Sequence, residues 1–162
     1  MKDKAYYEDV NIKNELKLRD MIQKLPKFCM DFFIGIDADK SSRTKIAYAY
    51  DLQTFFEYMK DVKNGKRYVL FPEGGYKFNN KNKVQDFKAG SFKIALKSHV
   101  PIIPIALIDS YKVFNSFHFG PVTTQVHYLK PIEYDEYKDM KTKDIAALVK
   151  ERIEEKIKEI LG

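Results

Sequence analysis

The sequence predicts an α/β fold, with a mainly parallel β-sheet flanked by helices. Short apolar runs of strand length recur along the chain: FFIGI (32–36), RYVLF (67–71) and PIIPIAL (101–107). Between them lie longer segments whose apolar residues repeat on a helical period. Buried strands alternating with helices read as βαβ crossovers, which build parallel sheets. Ligands bind such sheets beyond the carboxyl ends of the strands.

Taken in order, DVNIK (9–13) reads as a short edge strand. NELKLRDMIQKL (14–25) reads as a helix, with Leu16, Met21, Ile22 and Leu25 on one face. Asn14 is its expected cap and Pro26 its stop. After FFIGI, residues 41–65 predict a long helix, capped by Ser41 or Ser42 and ended by Asn64-Gly65. RYVLF predicts a buried strand, and AGSFKIALKSH (89–99) a helix. In PIIPIAL, Ile102, Ile103 and Ile105 are expected in the core, and Pro104 demands an edge or bulge. TTQVHYL (123–129) alternates like a half-exposed strand, with His127 facing outward. The last helix, 142–162, carries the stripe Ile145, Leu148, Val149, Ile153, Ile157 and Ile160.

The 162 residues are expected to form a single domain, 1–162, and 44% hydrophobic content supports a packed core. The lone cysteine, Cys29, excludes an intrachain disulfide and reads as a small buried apolar residue. The net charge of +6 favours anionic partners. The polar N-terminus shows no signal-peptide pattern, and no apolar run approaches the roughly 20 residues of a spanning helix. Nucleic acid is not expected, because the basic residues do not interleave with stacking aromatics. No spacing of His, Cys and acids suggests a metal.

VLFPEGGYKFNN (69–80) carries the strongest local signal. An apolar run ends in Glu73, then Gly74 and Gly75, then Tyr76 and Lys77. Both glycines are expected to allow a positive φ or close backbone approach. The acid and nearby cations point to a polar ligand, and the lysines at 77, 81, 83, 88, 93 and 97 favour a phosphate or an acidic surface. Asp37 and Arg43 follow FFIGI and are expected on the same edge of the sheet. His99 is expected at a helix C-terminus, and His118 lies in a loop.

These segments resemble blocks of the glycerolipid acyltransferases, which include the lysophosphatidic acid acyltransferases. FPEGG resembles the family's F-P-E-G-[T/S]-R, and VPIIPIAL its later V-P-[I/V]-[I/V]-P block. GIDADKSSRTKIA resembles the block around I-D-R, and NELKLRDMIQKLPKF the K-E-L segment. Order and approximate spacing agree over residues 10 to about 110. The resemblance implies transfer of an acyl group from acyl-CoA or acyl carrier protein to 1-acylglycerol-3-phosphate, in phospholipid synthesis. It implies no cofactor and a cytoplasmic protein peripheral to a membrane face. In the family, the histidine of an H-x4-D block acts as general base. The glutamate and neighbouring arginines hold the phosphate region of the acceptor.

Two departures bear on this. The residues five places after His99, His118 and His127 are Pro104, Thr123 and Ile132, so the chain contains no H-x4-D and no catalytic residue is assigned. The family's block precedes the K-E-L segment, which suggests an N-terminally shortened chain. Gly75-Tyr76 stands where the family has T-R, and Ala38 where it has the arginine of I-D-R. Lys77, Lys40 and Arg43 are the cations nearest those places, and a lysine lacks the arginine fork. The resulting acceptor site comprises Glu73, Gly74, Gly75, Tyr76 and Lys77, with Asp37 and Arg43. The alternative is a non-catalytic phosphate- or lipid-binding module.

Overall fold

The computed structural model describes residues 4–75, 81–115 and 120–162. The chain divides into two compact units, Met1–Lys60 and Asp61–Gly162.

The first unit is built from helices α1 (Lys4–Gln23), α2 (Cys29–Gly35) and α3 (Ser42–Lys63), the last of which runs into the second unit. Its core holds Leu18, Met21, Leu25, Cys29, Phe33 and Ala49. The expected strand at 9–13 is part of α1 instead, and Asn14 is not a cap but an interior residue whose Nδ2 donates to Ser42 Oγ at 3.3 Å. Leu18, Met21 and Leu25 stand at i, i+3 and i+7 on the buried face. Leu16 falls off that face and is 62% exposed. FFIGI also forms helix, not strand. A turn with Cys29 N donating to Pro26 O starts it, and Cys29 and Phe33, one helical turn apart, are buried. A short apolar run has no period of its own to separate strand from helix. At the start of α3, Thr44 N donates to Ser41 Oγ, a capping bond. Gly65, at φ +86°, ends the helix as expected.

The second unit contains a 3₁₀ turn (Ala89–Phe92), α4 (Lys93–Ser98), β1 (Ile105–Ile108), α5 (Lys112–Asn115), β2 (Gln125–Tyr128), α6 (Tyr134–Tyr137) and α7 (Thr142–Leu161). Among the described residues the sheet is two-stranded and antiparallel rather than parallel, with Ile105 opposite Tyr128 and Ile108 opposite Gln125. A parallel pair needs a long crossover, usually a helix. Here the described part of the β1–β2 connection holds only four-residue α5. RYVLF is not in a strand either, and Val69 and Phe71 are 71% and 73% exposed.

Ala106 and Ile108 enter the core with Phe92, Ile132, Tyr137 and the α7 stripe, of which Ile145, Val149 and Ile153 are buried. Ile103 was expected in this core but is exposed, as is Leu107, because alternate strand residues face opposite ways. The same parity turns His127 inward of its expected place. It lies opposite Ala106 and is half-buried, while Val126 and Tyr128 are exposed. Pro104 lies just before β1, where its carbonyl accepts from Leu129 N. Helix α6 carries a capping box between Glu133 and Glu136, and Glu136 also accepts from Arg152 of α7. Those two bonds hold the Glu136 carboxyl below its usual range, the backbone bond contributing most.

Tyr137 is fully buried, and its hydroxyl donates to the Val100 carbonyl at the entry to the VPIIP block. Burial pushes its pKa up to about 12. An unfolded tyrosine titrates near 10, so from about pH 10 to about 12 the folded state binds more protons than the unfolded one. Stability is therefore expected to fall through that window, by at most about 1.4 kcal/mol per pH unit. Urea denaturation should show this loss in the natural chain and lack it in Tyr137→Phe. At neutral pH the variant should be less stable by about 1–3 kcal/mol, since the Val100 carbonyl loses its donor.

Candidate functional site

The FPEGG segment forms a tight turn in which Gly74 N donates to Phe71 O at 3.1 Å. Pro72 takes the second place, where its fixed φ suits the turn, and Gly74 the fourth. Glu73 is thereby held half-buried at the bend. Gly74 has φ +71°, the left-handed region that penalises a side chain. A Cβ built there would stand 2.5 Å from Lys88 Cε and 2.6 Å from Lys88 Nζ. Gly75 differs from the expectation: its φ is not positive and a Cβ would meet nothing within 4 Å. Tyr76 and Lys77 lie outside the described residues, as does His118.

The chain returns along the turn through residues 81–88. Lys88 N donates to Pro72 O at 2.8 Å, and Gln85 Nε2 to Gly75 O at 3.4 Å. The far end of this segment is tied to the end of β1. Asn82 Nδ2 donates to Asp109 Oδ1 at 3.1 Å, and Asp109 N donates to Asn82 Oδ1 at 2.8 Å. Asp109 adopts φ +61°, a strained backbone that this reciprocal pair holds in place. Lys112 Nζ adds a 2.6 Å bond to Asp109 Oδ2. Lys112 first, and Asn82 second, hold the Asp109 carboxyl below its usual range.

Two lysines bear on the turn, Lys88 beside Gly74 and Lys150 within the field of Glu73. Lys150 of α7 pairs with Asp86 at 2.8 Å and lies 3.8 Å from Glu154. The Asp86 bond is the main reason its pKa is raised, and the field of Glu73 adds to it. Lys150 and the Asn82–Asp109 pair were not singled out from sequence, and Lys88 stood only as one of six lysines in a basic stretch. Their signal is long-range: Asn82 and Asp109 are 27 positions apart.

Asp37 and Arg43 belong to the first unit. Asp37 follows helix α2, not a strand end. Its Oδ1 accepts from Lys45 Nζ at 2.7 Å, and Glu15 lies 3.5 Å from the same ammonium, which is only 7% exposed. The Asp37 bond is the largest cause raising the Lys45 pKa. Two carboxylates around one ammonium leave no surplus positive charge at that point. Arg43, in the first turn of α3, is exposed.

His99 caps α4 in a left-handed conformation and stacks on Tyr134 at 4.4 Å. His127 bonds Gln125 Oε1 at 3.0 Å. Cys29 is buried, and burial raises its thiol pKa, which suits a packing role. Among the described residues no group of His, Cys, Asp and Glu is placed to hold a metal.

A family model described as Acyltransferase matches residues 19–108, more than half of the sequence. The chain belongs to the acyltransferase family. It is 31% identical over 83 residues to a 1-acyl-sn-glycerol-3-phosphate acyltransferase of Limnanthes alba, covering 50% of this chain and 29% of that one. It is 27% identical over 117 residues to the enzyme of that name from Saccharomyces cerevisiae, covering 67% and 37%. Among solved structures it resembles the 1-acyl-sn-glycerophosphate (LPA) acyltransferase PlsC from Thermotoga maritima, with a TM-score of 0.57 and 22% identity. That likeness covers 75% of this chain and 52% of the other, and it shows the α/β acyltransferase fold. This acyltransferase chain thus spans about a third of the length of its curated relatives. The matched span contains the FPEGG turn, the Asn82 anchor and the VPIIP block.

The two glycines of this acyltransferase turn are expected to respond differently. Gly74→Ala should lose about 1–2 kcal/mol in urea denaturation, from the left-handed φ, and should push the Lys88 tip aside. Gly75→Ala should stay within about 0.5 kcal/mol of the natural chain.

Proposed function

We propose that this chain is the acceptor-holding part of a 1-acylglycerol-3-phosphate acyltransferase. The turn at Glu73–Gly75 is the observation that carries the reading. It presents backbone without a side chain at Gly74, beside a lysine and within the field of a second. Such a surface suits the phosphate of 1-acylglycerol-3-phosphate, which the exposed ammonium seated on the turn can meet. The related enzymes are named for that acceptor.

In the proposed reaction the acceptor's hydroxyl oxygen attacks the thioester carbonyl of acyl-CoA or acyl carrier protein. A new ester bond forms, the carbon–sulfur bond breaks and the thiolate leaves. The hydroxyl proton passes to a base, and no cofactor takes part. Within this sequence no H-x4-D supplies that base. The chain's own contribution is to fix the acceptor by its phosphate, which orients the hydroxyl for attack. The proposed setting is the cytoplasmic face of a membrane, where acceptor and product reside. Among the described residues no helix is long and apolar enough to cross one.

The missing H-x4-D favours a second reading, a non-catalytic module that binds phosphate or lipid. Purified 162-residue chain, mixed with lysophosphatidic acid and an acyl thioester, is expected to bind the acceptor saturably and release no thiol. Binding should weaken in Gly74→Ala, whose Cβ would displace the Lys88 tip from the turn. Robust thiol release abolished by Glu73→Ala would place a base within this chain and contradict the assignment of its role. Absence of acceptor binding would remove both readings.

A further inference from the structure

We propose that Lys88 is the cation that recognises a phosphate monoester at the Gly74 turn, a specificity role that deepens the proposed function and rests on it. The family resemblance puts an arginine directly after the glycine pair, and this sequence has Tyr76 there. The structure supplies a different positive group at the same turn, from the returning segment.

Three observations carry the assignment. The stem and ammonium of Lys88 lie over the bare Cα of Gly74, with Cε and Nζ 2.5 and 2.6 Å from where a Cβ would stand. The backbone of Lys88 is pinned to the same turn through its N–H bond to Pro72 O at 2.8 Å. Residue 88 therefore meets the turn with both its backbone and its side chain. The third observation is charge. Lys150 is engaged by Asp86 and Glu154, and Lys112 by Asp109. Among the described residues no carboxylate forms an ion pair with Lys88. It is exposed, so its charge is available to a ligand arriving at the glycine.

The geometry favours a phosphate monoester over a neutral polyol, because an ammonium offers point charge and donors but no acceptor. It also favours tolerance in orientation, since lysine lacks the planar fork that fixes a bidentate pair. The shared ligand chemistry is the monoester, whether carried by soluble glycerol 3-phosphate or by a lysophosphatidic acid headgroup.

Calorimetric titration of the full chain tests this with three probes. These are inorganic phosphate, glycerol 3-phosphate, and phosphatidylcholine vesicles with or without lysophosphatidic acid. Lys88→Met, which keeps the stem and removes the charge, is expected to raise Kd for glycerol 3-phosphate or lysophosphatidic acid vesicles about tenfold, the loss of one charged hydrogen bond. Lys88→Arg and the exposed Lys93→Met should bind like the natural chain. Equal dependence on Lys88 for the soluble and vesicle probes supports recognition of the headgroup phosphate. Dependence for the vesicles alone supports the lipid as its source. Three results overturn the proposal. Unchanged binding in Lys88→Met would leave the turn as an acceptor site but exclude Lys88. Equal weakening in Lys88→Met and Lys93→Met would mean diffuse charge. Binding of inorganic phosphate alone would exclude a monoester ligand. If the natural chain binds none of the probes, the proposed function falls together with this inference.

Discussion

The bond from Lys88 N to Pro72 O joins residue 88 to the FPEGG turn, and the candidate site depends on that contact. Pro72 and Gly74 set the bend, but a bend alone presents only backbone. The returning strand of chain brings the ammonium, and the Lys88–Pro72 bond fixes which residue does so. A shift of one position would place Phe87 or Ala89 against Gly74 instead of a lysine. The Asn82–Asp109 pair holds the other end of the returning segment to the end of β1. Lys88 is thus held to the turn by its own backbone, and its segment is held to the end of β1 by the Asn82–Asp109 pair.

Charge is distributed unevenly among the lysines near the turn. Lys150 and Lys112 are neutralised by carboxylates at hydrogen-bond distance, so they organise the protein more than they attract a ligand. Lys45, in the first unit, is nearly buried between Asp37 and Glu15. That cluster is expected to stabilise its own helices, because removing one partner leaves the ammonium under-compensated. The +6 net charge therefore says little about any one site, and pairing decides which cations remain available.

Helices with long periods were legible in the sequence. Ile145, Val149 and Ile153 of the α7 stripe are buried where their spacing places them, and α3 is capped by Ser41 and followed by the left-handed Gly65 as their chemistry requires. Short apolar runs were not legible. FFIGI became α2 because Cys29 and Phe33 pack together one turn apart, a fact that needs α1 and Ala49 as neighbours. RYVLF has strand composition but forms no strand, and β1 finds an antiparallel partner from later in the chain. At the site, the turn was readable from Pro72, Glu73 and Gly74, whose local preferences agree with the backbone observed. Gly75 was over-read, since composition cannot tell which of two adjacent glycines takes the positive φ. Lys88 was one of six lysines in a basic stretch, and only its bond to Pro72 distinguishes it.

Residue 88 is pinned to the turn by its backbone, so that its ammonium stands over Gly74. Amide hydrogen exchange at Lys88, followed by NMR, tests it most directly. Protection well above that of an unstructured chain, rising when glycerol 3-phosphate is added, is the expected result. Exchange at the unstructured rate, unaffected by glycerol 3-phosphate, would contradict it.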